Sequence, residues 1–138
     1  MLPHYHLIYG TILAILLLLF PGITYIEAII VLLSSFLIDI DHYISYIIIK
    51  KDLSLKKAYF WERYENKAKG KLNILHTIEV LVILGILSIY IKYIFFIFIG
   101  FIFHFILDLL GLIKRKKLYN REFFIIHYFI KKNARAGI

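Results

Sequence analysis

The chain contains no cysteine and only two prolines. Without thiols it can form no disulfide, no thiolate metal site and no thiol nucleophile, and redox compartment is left open. No Pro/Gly/Ser-rich stretch divides the 138 residues, so one continuous unit is expected. No glycine-rich phosphate-binding loop is present. Acidic residues are also scarce, nine against seventeen Lys and Arg, for a net charge of +8.

Apolar residues are in excess. The chain is 62% hydrophobic, where soluble domains hold about 45–50%. So short a chain leaves much of its surface exposed after folding, and lipid is the environment that accommodates the surplus. The opening Met1-Leu2-Pro3-His4 lacks a basic n-region, and no small-x-small cleavage site follows the first apolar run. That run is therefore expected to stay as a helix.

Three barriers interrupt the apolar sequence: Pro21-Gly22, the charged stretch Lys50–Lys71, and Lys92. They delimit segments Pro3–Phe20, Ile23–Ile49, Leu72–Ile91 and Tyr93–Ile113. A helix needs about 20 apolar residues to cross a bilayer, so the first is slightly short and the second long enough to tilt or break. Isoleucine-rich runs favour strands in water, but in lipid the backbone must satisfy itself, and helices do so. The expected fold class is all-α, a polytopic membrane helix bundle of about four transmembrane helices. The expected division is residues 1–117 as the transmembrane domain, with a basic loop at 50–71, and 118–138 as a basic tail. Within the tail, Phe123–Ile130 is apolar but too short to span, so a short interfacial helix is expected.

Charge sets the orientation. Eight Lys/Arg lie between Lys50 and Lys71, eight between Lys114 and Arg135, and Lys92 is the remaining one. Four spans put both basic segments on one side, which the positive-inside rule makes the cytoplasm. Both termini are then cytoplasmic, in a multi-pass protein of the plasma (inner) membrane. The basic segments read as topology determinants that attract anionic lipid. Nucleic acid is not an expected partner, because no aromatic-interleaved basic face or known module appears.

Ionisable groups within spans cost a few kcal/mol each, which makes them functional candidates. Here they are His4 and His6, then Asp39, Asp41 and His42, then His76 and Glu79, then His104 and Asp108. The spacings His76/Glu79, Asp39/His42 and His104/Asp108 each predict a shared helix face. Asp41 would point away from Asp39 on an unbroken helix, so either the helix loosens there or Asp41 serves another contact. Counted from the basic boundaries, His76, Asp108, His42 and Asp39 lie about 7, 9, 12 and 16 Å deep on one side. Four carboxylates at that depth (Asp39, Asp41, Glu79, Asp108) repel one another, and two divalent cations would offset them. Imidazole and carboxylate without thiolate suit Zn, Mn, Fe or Co. Ser34-Ser35 reads as a close helix contact, Glu27 as an interface residue near the outward turn, and His127 as non-functional.

The run of motifs His6-x-x-x-Gly10, Leu33-Ser34-Ser35-Phe36-Leu37-Ile38-Asp39-Ile40-Asp41-His42, His76-Thr77 and Gly100-x-x-x-His104-x-x-x-Asp108 resembles the YdjM-like inner-membrane metal-dependent hydrolase family. The resemblance follows the motif order from His6 to Asp108. It implies a helical membrane protein with a metal centre, and carries over His6, Asp39, Asp41, His42, His76, His104 and Asp108 as ligands or catalytic groups. Ile38 stands where that family usually has proline, so a helix break is not forced. More distantly, the His-x-x-x-Asp pairs are similar to those of zinc-dependent phospholipase C and the P1-type nucleases.

The expected function is metal-dependent hydrolysis of an anionic ester at the cytoplasmic face, with a phospholipid-type phosphoester the substrate of choice, so that membrane lipid is both solvent and partner. The metal ligands expected are His104, Asp108, His42, His76, Asp39, His6 and Glu79. Asp39 and Asp41 are the catalytic carboxylates, bridging metals or acting as base. One or two ions, zinc foremost, would lower the pKa of water to near neutrality. A divalent-metal carrier and a structural membrane protein with a polar cluster are the alternatives.

Overall fold

The computed structural model describes residues 3–65, 71–116, 118 and 121–136. Residues 66–70 of the basic loop and the expected boundary at residue 117 lie outside the described residues. The chain is mostly helical: α1 (Pro3–Leu18), α2 (Tyr25–Leu37), α3 (Ile40–Lys50), α4 (Leu55–Phe60), α5 (Ile78–Ser88), α6 (Lys92–Lys114) and α7 (Ile125–Ala136). A two-residue parallel pair, β1 (Lys71–Leu72) and β2 (Arg121–Glu122), was not expected of an all-α chain.

α2 packs between α1 and α6, and α5 lies against α6. Small residues set the closest approaches. A Cβ on Gly10 would strike Ser35 Oγ, and one on Gly100 would strike Ser34 Oγ and come within 2.7 Å of the Val31 carbonyl. Ser34 and Ser35 are thus helix-contact residues whose hydroxyls bond back to their own helix, at Ile30 O and Leu32 O.

Two helical stretches, Tyr25–Lys50 and Lys92–Lys114, are long and apolar enough to cross a membrane. α1 is apolar at 16 residues, and α5 has only 11. The helix expected from Leu72 therefore begins six residues late. Ile74–His76 forms a 3₁₀ turn and Thr77 is extended, so His76 and Glu79 do not share a helix face. The local cause is the Thr77 hydroxyl, which donates to Ile74 O and closes the turn before α5 starts.

The second span loosens where α2 meets α3. Asp39 N–H bonds Phe36 O, and His42 N–H bonds Asp39 O, both three residues back rather than four. No proline is needed, as Ile38 and Asp39 keep right-handed helical angles. At 3.6 residues per turn, positions two apart point about 200° apart. At three per turn they differ by about 240°, or about 120° the short way. This tightening swings Asp39 and Asp41 towards a common centre.

Glu27 is buried at the end of the bundle that carries the Pro21-Gly22 turn and Lys92. Its carboxylate accepts from Thr24 N–H and Oγ1–H in a capping box and pairs with Lys92, joining the start of α2 to that of α6. At the opposite end, the basic loop folds back on α3. Tyr46, Ala58 and Trp61 form a small apolar core, Tyr43 Oη–H donates to Leu53 O, and Ser54 caps α4.

The burial pattern is inverted relative to a soluble domain. Six of the eight largest fully buried side chains are polar: His6, His76, His104, Glu27, Thr77 and Ser35. Leu19, Ile89 and Tyr90 are at least three-quarters exposed.

Candidate metal centre

Four segments meet at one buried cluster. α1 contributes His6, the α2–α3 junction Asp39, Asp41 and His42, the 3₁₀ turn His76, and α6 His104 and Asp108. The rings of His6, His76 and His104 are fully buried. His6 stacks on His104 with centroids 3.9 Å apart.

Hydrogen bonds assign the proton on two rings. His104 Nδ1 lies 2.8 Å from the Ser35 carbonyl, which can only accept, so Nδ1 carries the hydrogen. His76 Nδ1 lies 3.0 Å from Asp41 Oδ2, which also accepts the Leu75 N–H. With both rings neutral, the Nε2 atoms of His76 and His104 then face each other, 3.0 Å apart, with lone pairs opposed. Two nitrogens bound to one metal at about 2.0–2.1 Å stand about 2.9–3.4 Å apart. Ligand histidines characteristically donate their other N–H to a carboxylate or a backbone carbonyl, the roles filled here by Asp41 and Ser35.

Carboxylate oxygens close round the same point. Asp39 Oδ1 is 3.6 Å from His76 Nε2 and 3.5 Å from His104 Nε2, and Asp108 Oδ2 is 3.9 and 3.8 Å from the same atoms. These residues fall in three overlapping groups that could hold a metal ion: His76–His104–Asp108, Asp39–His42–His76 and His6–Asp39–His104. Asp39 Oδ2 and His6 Nδ1 are buried without a hydrogen-bond partner among the described residues, as an incomplete polar shell requires. The donor set fits a divalent cation of intermediate softness.

Each residue expected from sequence has a definite place. His6 Nε2 is 3.2 Å from Asp108 Oδ1, and His6 also belongs to one of the three groups, with Asp39 and His104. Asp41 stands behind His76 and orients it. His42 is the most accessible ring of the cluster and spans 3.6 Å to Asp39 and 3.2 Å to Glu62. Glu79, expected as a ligand, lies away from all three groups. It accepts the Ile125 N–H at 2.8 Å, holding the start of α7, because the extended Thr77 turns it off the His76 face.

Three participants escape a sequence reading. Arg121 Nη1 donates to Asp108 Oδ2 at 2.8 Å, the Asn73 amide lies 3.3 Å from His42, and Glu62 meets His42 from the basic loop. Arg121 arrives by the β1–β2 pairing, which sets Lys71 opposite Arg121, and by the Ile78 N–H bonding Phe123 O. Comparison of the chain with family models, with curated proteins and with solved structures gives no match.

Proposed function

We propose that the protein is a four-span membrane hydrolase with one divalent metal centre near its cytoplasmic face. The observation that carries the metal is the opposed pair of His76 and His104 Nε2 atoms, each oriented from behind, with Asp39 Oδ1 at ligand spacing from both. Formal charge supports a single ion. Within the cluster, Asp39, Asp41 and Asp108 bring three negative charges and Arg121 one positive, a balance that one divalent cation offsets with Glu62 partly exposed and Glu79 elsewhere.

The membrane reading rests on a polar interior wrapped in exposed Leu, Ile and aromatic side chains, an arrangement lipid tolerates and water does not. α5 alone is about 17 Å long. It crosses together with the irregular 72–77 leg, which is admissible because that leg lines the polar centre rather than lipid. The motif order that resembles the YdjM-like family supports the same reading, and membership in it is part of the proposal.

When bound, the cation supplies Lewis acidity and a nucleophilic water near neutral pH. His76, His104 and Asp39 would hold it, with Asp108 as a further ligand. Asp39 Oδ2, buried and unpartnered among the described residues, would accept the proton of the attacking water. His42, paired with Glu62 and the most accessible ring, would donate a proton to the leaving oxygen of the ester. The test is elemental analysis of chelator-free protein in detergent, beside His104→Ala and His76→Ala, followed by phosphoester turnover. About one equivalent of Zn or Mn in wild type, lost in both variants, is expected. No bound metal even after added Zn²⁺ or Mn²⁺ would leave the cluster as structural glue.

A further inference from the structure

Arg121 is the one guanidinium that reaches the centre among the described residues, and its side chain is 8% exposed. Only one of its three nitrogens is used. Nη1 donates to Asp108, while Nε and Nη2 are buried with no acceptor among the described residues. Nε–H and the adjoining Nη2–H form the side edge of the planar fork, two parallel donors spaced for two oxygens of one anion. Asp108 Oδ2, which fixes the guanidinium, is the same oxygen that stands 3.8 Å from His104 Nε2. The guanidinium is therefore held beside the candidate metal centre, with its Nε/Nη2 edge unused among the described residues.

We propose that the Nε/Nη2 edge of Arg121 receives the two non-bridging oxygens of a phosphoryl group and so sets the substrate class. The step it serves rests on the hydrolase reading above; the anion site itself does not. A lysine carries the charge but not the paired edge, so it separates geometry from simple electrostatics. Two sources share the chemistry, free phosphate and a phospholipid headgroup.

The experiment uses the full chain in zwitterionic detergent, with metal content measured on every sample. Thermal unfolding is followed with inorganic phosphate, or with short-chain phosphatidylglycerol below its micelle concentration, against chloride at equal ionic strength. Ligand that binds only the native state raises the midpoint, and wild type should show this. Arg121→Lys and Arg121→Gln should keep wild-type metal content and weaken the phosphate response about tenfold, the loss of one charge-assisted hydrogen bond. A response to phosphatidylglycerol as well as phosphate assigns the site to headgroups, and a response to phosphate alone assigns it to soluble esters. No rise in wild type, or an undiminished rise in both variants, overturns the proposal while leaving the metal centre standing. Loss of metal together with the phosphate response also overturns it, making Arg121 a prop for Asp108. Absence of metal in wild type sinks the hydrolase reading, and the phosphate arms still decide the anion site. If neither variant folds, the ¹⁵N–¹H signal of the buried Arg121 Nε in wild type decides: it shifts with phosphate, or the proposal fails.

Discussion

Asp41 and the Ser35 carbonyl govern the centre by deciding which nitrogen of a histidine carries its proton. In Asp41→Asn the side-chain amide can turn its NH₂ towards His76 Nδ1. That would move the ring hydrogen to Nε2, where it blocks ligation. Metal affinity should fall about 10–100-fold, the usual effect of removing a ligand-orienting partner. His104→Ala should abolish binding outright. A competition titration with a chromophoric chelator measures both, and unchanged affinity in Asp41→Asn would show that the tautomer assignment is mistaken. Asp41, expected from sequence as a bridging or basic carboxylate, lies 3.0 Å from His76 Nδ1, on the side of the ring away from His104.

At the scale of elements, the contacts of α2 with α1 and α6 rest on glycine, and the two sites differ in what a methyl group would meet. At Gly100 the obstacles include the Val31 carbonyl at 2.7 Å and the Ser35 amide nitrogen at 2.9 Å, both backbone. At Gly10 the nearest atom is the rotatable Ser35 Oγ. Gly100→Ala should cost about 1–3 kcal/mol, the usual penalty of overpacking, and Gly10→Ala less. Thermal unfolding in detergent ranks them, and equal losses would contradict the packing described. The C-terminal elements carry a pH dependence. Glu122 accepts from Lys131 at 2.7 Å and pairs with His127, and these partners, Lys131 first, hold its carboxyl below the usual glutamate range. A depressed carboxyl stabilises the docked state above its unfolded pKa, and that contribution is lost as pH falls through the folded value. Hydrogen exchange in α7 should stay protected down to the ordinary glutamate range and rise below it. Glu122→Gln should remove the dependence.

For the whole molecule, the proposed reading has four crossings with both basic segments inside, while two helical stretches are by themselves long and apolar enough to cross. The absence of native cysteine makes this directly testable. Pro21→Cys, in the exposed turn between α1 and α2, should react with a membrane-impermeant maleimide in intact cells. Lys56→Cys, exposed on α4, should react only after permeabilisation. Equal labelling of both in intact cells would remove the four-span topology, and the reverse pattern would invert it.

Hydropathy and charge were legible because each is a sum over many residues. The apolar segments, the break at Pro21-Gly22 and the pairing of His104 with Asp108 need no knowledge of what packs against them. The convergence of His6, Asp39, His42, His76 and Asp108 was legible for a related reason, since ionisable groups in apolar runs have few alternatives to one another. What the tertiary structure decided turns on single backbone bonds. One 3₁₀ turn at Asp39 brings Asp41 behind His76, and one extended residue, Thr77, sends Glu79 to α7. A two-residue strand pair delivers Arg121, which in sequence is one basic residue among the eight between Lys114 and Arg135. Such pairings carry no periodicity in the chain, because their partners lie 50 residues apart and gain their energy only when both are in place.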